Sequence, residues 1–155
     1  MTTANSIPDG YHSLTPYLAV DGAERAIAFY ERVFGAVLTG RYDGPDGTIM
    51  HATMRVGDSV LELGDPMPDY GLVAPRGEGV SSSLMFYCDD VDAVHAGAVE
   101  AGATVVAEVT DFPSGDCYGT VLDPFGHRWS IATRVKDVPQ DEVEQALKDW
   151  SPTQG

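Results

Sequence analysis

Two stretches of this chain share one grammar, and their spacing limits what it can fold into. "VGDSVLELGD" (56–65) and "DPFGHRWSIATRVKD" (123–137) each pass from a glycine turn into a strand alternating apolar and polar residues. Glu62 in the first copy and Ser130 in the second are 68 residues apart. So are Asp21 and Asp89, each at the head of a helical pattern. A shared period of this kind makes the chain two copies of one supersecondary unit.

The order of elements repeats as well. The first copy reads as strand 12–20, helix 22–35, strand 36–42, the turn "DGPDG", strand 49–56 and strand 59–65. The helix follows from Ala23, Ala26, Ile27, Tyr30, Val33 and Phe34 at three- and four-residue spacing, with Asp21 expected to cap its start and Gly35 to end it. The second copy reads as strand 81–89, helix 90–102, strand 103–109, strand 116–123, the turn "PFGH" and strand 128–133. The expected fold is therefore α+β, with paired βαβββ modules at 11–65 and 81–136. A Pro- and Gly-rich loop (66–80) joins them, and the tail (137–155) carries a short helix with Val143, Leu147 and Trp150 on one stripe.

Strand side chains alternate between faces, so parity separates a core side from a mixed side. Leu14, Leu18, Leu61, Leu63, Leu84, Phe86, Trp129 and Ile131 fall on the side expected to pack against the helices. Glu62, Arg128 and Ser130 fall on the other, where a ligand could lie. At 155 residues and 43% hydrophobic composition the chain can bury a real core. Its formal charge of −15 opposes phosphate backbones and anionic lipid, so neither nucleic acid nor a membrane surface is expected as partner. No apolar run approaches a membrane span and "MTTANSIPDGYHS" lacks the layout of a signal peptide, which gives a cytoplasmic expectation. Cys88 and Cys117 form neither a disulfide framework nor a zinc spacing.

With these elements placed, the helix "AERAIAFYERVFGA", the "DPFGH" turn and the repeat itself resemble the glyoxalase/bleomycin-resistance/dioxygenase group, the vicinal oxygen chelate superfamily. The phrases "TPYLAV", "PDGTIMHATMRVGDSVLELGD" and "DPFGHRWSIATRVKDV" are similar to its PhnB-like subset. The resemblance implies curved mixed sheets around a cavity and, commonly, a homodimer. In metal-using members the ligands stand on the cavity face of the first and fourth strand of each module. Those positions here are Thr15, Glu62, Ser83 and Ser130. Only Glu62 is a good donor, whereas a divalent ion wants at least three, with imidazole or carboxylate preferred over neutral hydroxyls. No metal and no cofactor are therefore expected.

The candidate site residues follow. Glu62 is a carboxylate on the mixed face, and His51 in "IMHATMRV" shares a face with Thr53 and Arg55. The tight turn between the two strands can make His51 and Glu62 neighbours, a proton-transfer pair or half of a metal site. The plainer reading of His51 is a satisfied strand histidine. Tyr17, Met85, Tyr87, Tyr118 and Arg128 look like the walls of a small-molecule pocket. Cys88 should be buried and inert, and Cys117 could line the cavity mouth. The leading functional reading is a metal-free binding protein for a small aromatic or cationic molecule. The competing one is an enzyme of lyase, dioxygenase or thiol-transferase type working through His51 and Glu62. A purely structural module fits least, since nothing suggests a partner groove.

Overall fold

The computed structural model describes residues 5–149, and along the chain these divide into two compact units, the first ending at Gly77 and the second beginning at Glu78. In the first, β1 (Tyr17–Ala19), α1 (Ala23–Phe34), β2 (Val37–Asp43), β3 (Ile49–Val56) and β4 (Ser59–Gly64) build a four-stranded mixed sheet ordered β1-β4-β3-β2. In the second, β5 (Ser83–Tyr87), α2 (Val91–Glu100), β6 (Thr104–Asp111), β7 (Asp116–Leu122) and β8 (Arg128–Arg134) repeat it as β5-β8-β7-β6. The first strand of each unit runs parallel to the fourth, and the other pairings are antiparallel. The expected fold class stands. A third helix, α3 (Gln140–Asp149), has no buried residue; Leu147 is 40% exposed, and Trp150 lies outside the described residues.

All six apolar positions expected on the face of α1 are buried, joined by Phe29. The helix packs across β2 and β3, and Leu18, Ala52, Met54, Leu61 and Leu63 are buried on the strands. In the second unit α2 packs across β6, β7 and β8, with Val121, Trp129 and Ile131 buried. Each such aliphatic or aromatic side chain contributes about 1.5–3 kcal/mol when removed from water. Gly119 lets His95 into this layer: a Cβ there would stand 2.7 Å from the imidazole ring, and the ring's Nε2 lies 3.3 Å from the Ala107 carbonyl oxygen.

Three expectations fail. Leu14 is 85% exposed, because β1 starts only at Tyr17. Pro16 has no N–H to offer a ladder, and its carbonyl accepts the Glu62 N–H instead. Leu84 and Phe86 are only half-buried. Asp21 does not cap α1. Gly22 takes the N-cap position at φ 97°, and the cap comes from the end of β4, where Asp65 Oδ1 accepts the N–H groups of Gly22 (3.2 Å) and Ala23 (3.0 Å). Asp65 Oδ2 takes a third, from Ile49 at 2.7 Å.

The second unit meets the same need with a different group. Thr133, 68 residues beyond Asp65, accepts the Val91 N–H at 3.0 Å and donates to the Cys88 carbonyl at 2.8 Å. Asp90, one residue past the Asp89 expected to open the helix, adds a bond from Ala93 N. The "DPFGH" turn is held by buried Asp123, whose Oδ1 accepts from Phe125 N and His127 N and whose Oδ2 accepts from Trp129 Nε1 at 3.0 Å. That motif is a structural box which locks Trp129 onto the core side.

Asp65→Ala leaves three backbone donors without their acceptor and should lower the unfolding free energy by about 2–3 kcal/mol in urea titration. Thr133→Val should cost about 1 kcal/mol, and equal losses would contradict the bonding described.

Candidate functional site

On the first unit the mixed face is set by register. Glu62 pairs with Tyr17 on one side and Thr53 on the other, so the three side chains share that face. His51, two residues before Thr53, joins them and stands opposite Tyr42 on β2. Its Nε2 lies 3.5 Å from Glu62 Oε1 and 3.2 Å from Thr53 Oγ1. The rings of Tyr17 and Tyr42 flank it at 5.6 and 6.1 Å between centroids. Tyr11, from the segment before β1, donates its hydroxyl to Glu62 Oε1 at 3.3 Å. Tyr17 Oη donates to the Met50 carbonyl at 2.9 Å; burial, then the charges of Glu62 and Asp65, push the phenol above its ordinary value. It therefore stays protonated and donating throughout the neutral range.

This packing requires Gly64. A Cβ at that position would stand 2.5 Å from Tyr17 Oη and 2.7 Å from the Met50 carbonyl oxygen. Gly64→Ala should thus lower stability by about 1–3 kcal/mol, and Tyr17→Phe in the same chain should restore only part, since the backbone contact remains.

On the second unit a concavity of about 290 Å³ opens on the mixed face. Met85, Phe112, Tyr118 and Ala132 form apolar walls, and Ser114, Asp116, Arg128 and Ser130 supply polar atoms. Phe112 and Tyr118 meet edge to face at 5.5 Å. Arg128 Nη1 donates to Ser83 Oγ at 2.6 Å and to Ser130 Oγ at 3.3 Å, and Ser130 is also 3.4 Å from Thr120 Oγ1. Asp116 is compensated: Arg134 Nε lies 2.7 Å from its Oδ1, and Ser114 donates to its Oδ2 at 2.8 Å.

The structure therefore brings Tyr17, His51 and Glu62 together in the first unit, and Ser83, Met85, Tyr118, Arg128 and Ser130 in the second. Thr15 precedes β1 and is half-buried. Tyr87 lines a separate recess with Cys88, Asp89, Thr133 and Arg134. Cys117 alternates with Tyr118 along β7, so it points away from the concavity it was expected to border. Cys88 is half-buried rather than sealed in the core. Sequence reasoning missed Tyr11, Tyr42, Phe112, Ser114 and Asp116. Tyr42 had a signal, since the "DGPDG" hairpin turn places it across from His51; the others lie on connecting segments or at strand ends.

The description of the Glyoxalase/Bleomycin resistance protein/Dioxygenase superfamily matches residues 11–131. The chain belongs to that superfamily. Mb0911c of Mycobacterium bovis is 40% identical to it over 139 residues, 87% of this chain and 91% of that protein. At5g48480 of Arabidopsis thaliana is 32% identical over 130 residues, 77% of this chain and 76% of its own. Its crystal structure superposes with a TM-score of 0.63 over 79% of this chain and 98% of that one, at 27% identity. TioX from Micromonospora sp. ML1 is equally similar, with the same score, identity and shares.

The metal positions implied for the superfamily do not fit a divalent ion here. Ser83 and Ser130 already face a cation, the Arg128 guanidinium, which stands against the two hydroxyls that would have to turn toward a metal. Among the described residues no group of three His, Cys, Asp or Glu could hold an ion. His51 and Glu62 give two donors, one short of an ordinary protein site.

Burial pushes the Cys117 thiol above its ordinary value, and its hydrogen bond to Asp111 and that residue's charge add to the effect. In Cys88→Ser protein, iodoacetamide should therefore label Cys117 only as pH rises well past about 8.5, the free-thiol value. Asp111→Asn should move the onset to lower pH, and an unchanged pH profile would contradict the assignment.

Proposed function

We propose that this protein is a metal-independent small-molecule-binding member of the superfamily, with its ligand seated in the concavity of the second unit. The observation that carries the reading is the makeup of that cavity. Aromatic and methionine walls surround a few convergent polar groups, and the two seryl hydroxyls at the implied metal positions are turned to a guanidinium. A volume near 290 Å³ is at the small end for ligand pockets and suits a compact planar molecule. The phrases quoted from the sequence favour the PhnB-like subset. The dimer and the cytoplasmic setting are part of the same proposal, and the described residues hold no helix long and apolar enough to cross a membrane.

One observation favours a second reading, catalysis on the first unit. His51 and Glu62 are in direct reach, with Tyr11 and Thr53 hydrogen-bonded to them, and a carboxylate-oriented imidazole can take and return a proton.

A thermal-shift screen of planar aromatic compounds on the whole protein should give stabilising hits. A ligand at a hundredfold excess over its Kd adds about 2.7 kcal/mol. The shift should vanish in Tyr118→Ala and persist in Glu62→Gln. Hits lost in Glu62→Gln and kept in Tyr118→Ala would favour the second reading. Stoichiometric metal in protein purified without chelator, lost on Glu62→Gln, would overturn the metal-independent one.

A further inference from the structure

Among the described residues, Arg128 is the one cation lining the second-unit concavity, and its charge meets no carboxylate. Its partner in the pocket wall, Asp116, is ion-paired to Arg134, and Arg134 also reaches Asp137 at 3.7 Å. Arg128 instead spends Nη1 on Ser83 and Ser130, two neutral hydroxyls. A guanidinium carries five N–H donors in a planar fork. Nη1 accounts for two of them, so among the described residues the Nε and Nη2 donors have no protein acceptor. The two serines fix the plane of the fork, and Ser130 is itself buried and held by Thr120. A half-buried, oriented and uncompensated guanidinium is matched by a planar anion that accepts two parallel hydrogen bonds.

The walls add the second half of the recognition. Phe112 and Tyr118 give an edge-to-face aromatic corner, and Met85 offers a polarisable side chain that is 54% exposed. An apolar planar body belongs against these three residues. We propose, resting on the binding reading above, that the ligand class of this pocket is an aromatic carboxylate, with Arg128 as its anion anchor. The chain's net charge of −15 does not oppose this at contact, because physiological salt screens distant charges beyond about 8 Å.

The test compares two probes of one shape on the full chain: naphthalene-2-carboxylate and the neutral naphthalene-2-carboxamide, titrated by calorimetry or by naphthalene fluorescence. The carboxylate should bind at least about tenfold more tightly than the amide. Arg128→Gln should erase that preference, and Tyr118→Ala should weaken both probes together. Equal affinities in the wild-type protein would overturn the anion anchor and leave the pocket reading in place. A preference retained in Arg128→Gln would do the same. Failure of both probes to bind at millimolar concentration would overturn the anchor and the aromatic pocket alike. The wild-type comparison needs no variant, so poor folding of Arg128→Gln cannot protect the inference.

Discussion

A four-stranded sheet backed by one helix has one face that the helix cannot cover. In both units the covered face is made of aliphatic and aromatic residues, and the last strand reaches round to fix the helix that covers it. Asp65 does so with a carboxylate serving three backbone donors, and Thr133 does so with one hydroxyl between a donor and a carbonyl. This contact sets where each helix begins relative to the sheet. It thereby sets which strand positions are buried and which are left over. The uncovered face exists because the helix is pinned to the other side.

What the two units place on that leftover face is opposite in sign. The first presents a carboxylate beside an imidazole, ringed by tyrosines; the second presents a guanidinium between hydroxyls, beside aromatic walls. Glu62 and Ser130 stand at matching places in their sheets, Tyr17 beside one and Met85 beside the other. The substitution of serine for a carboxylate at the second place goes with Arg128 two residues before it. A carboxylate at 130 would form an ion pair with Arg128 and cancel its charge.

Much of this was legible in the sequence because it depends on periodicity. The helical spacing of α1 and the parity of β1, β4 and β8 name the core correctly at Leu18, Leu61, Leu63, Trp129 and Ile131. The adjacency of His51 and Glu62 follows from a tight turn between two strands, which is local information. What periodicity does not carry is contact over long separations. The Asp65 cap on α1 is made across 42 residues, and the Tyr11 bond to Glu62 across 51. A single offset also misleads at one place. Thr53 pairs with Glu62 and Thr120 with Ser130, so the third strands are related by 67 residues where the fourth are related by 68. The turn before β8 is one residue longer, and His51 therefore corresponds to Tyr118, not to Gly119. Leu14 looked apolar and in phase, but parity has no meaning where Pro16 stops the ladder.

The pairing of Ser83 and Ser130 with Arg128 has a consequence for when the second unit becomes complete. A metal centre is finished only when the cell delivers an ion of the right kind. It can then be stripped by a chelator, exchanged for a competing ion or altered by oxidation. A guanidinium is made with the chain and is charged at every physiological pH. It neither dissociates nor changes valence. The positive charge at this place in the fold is thus supplied by translation alone, and it is the same in a metal-starved cell as in a replete one.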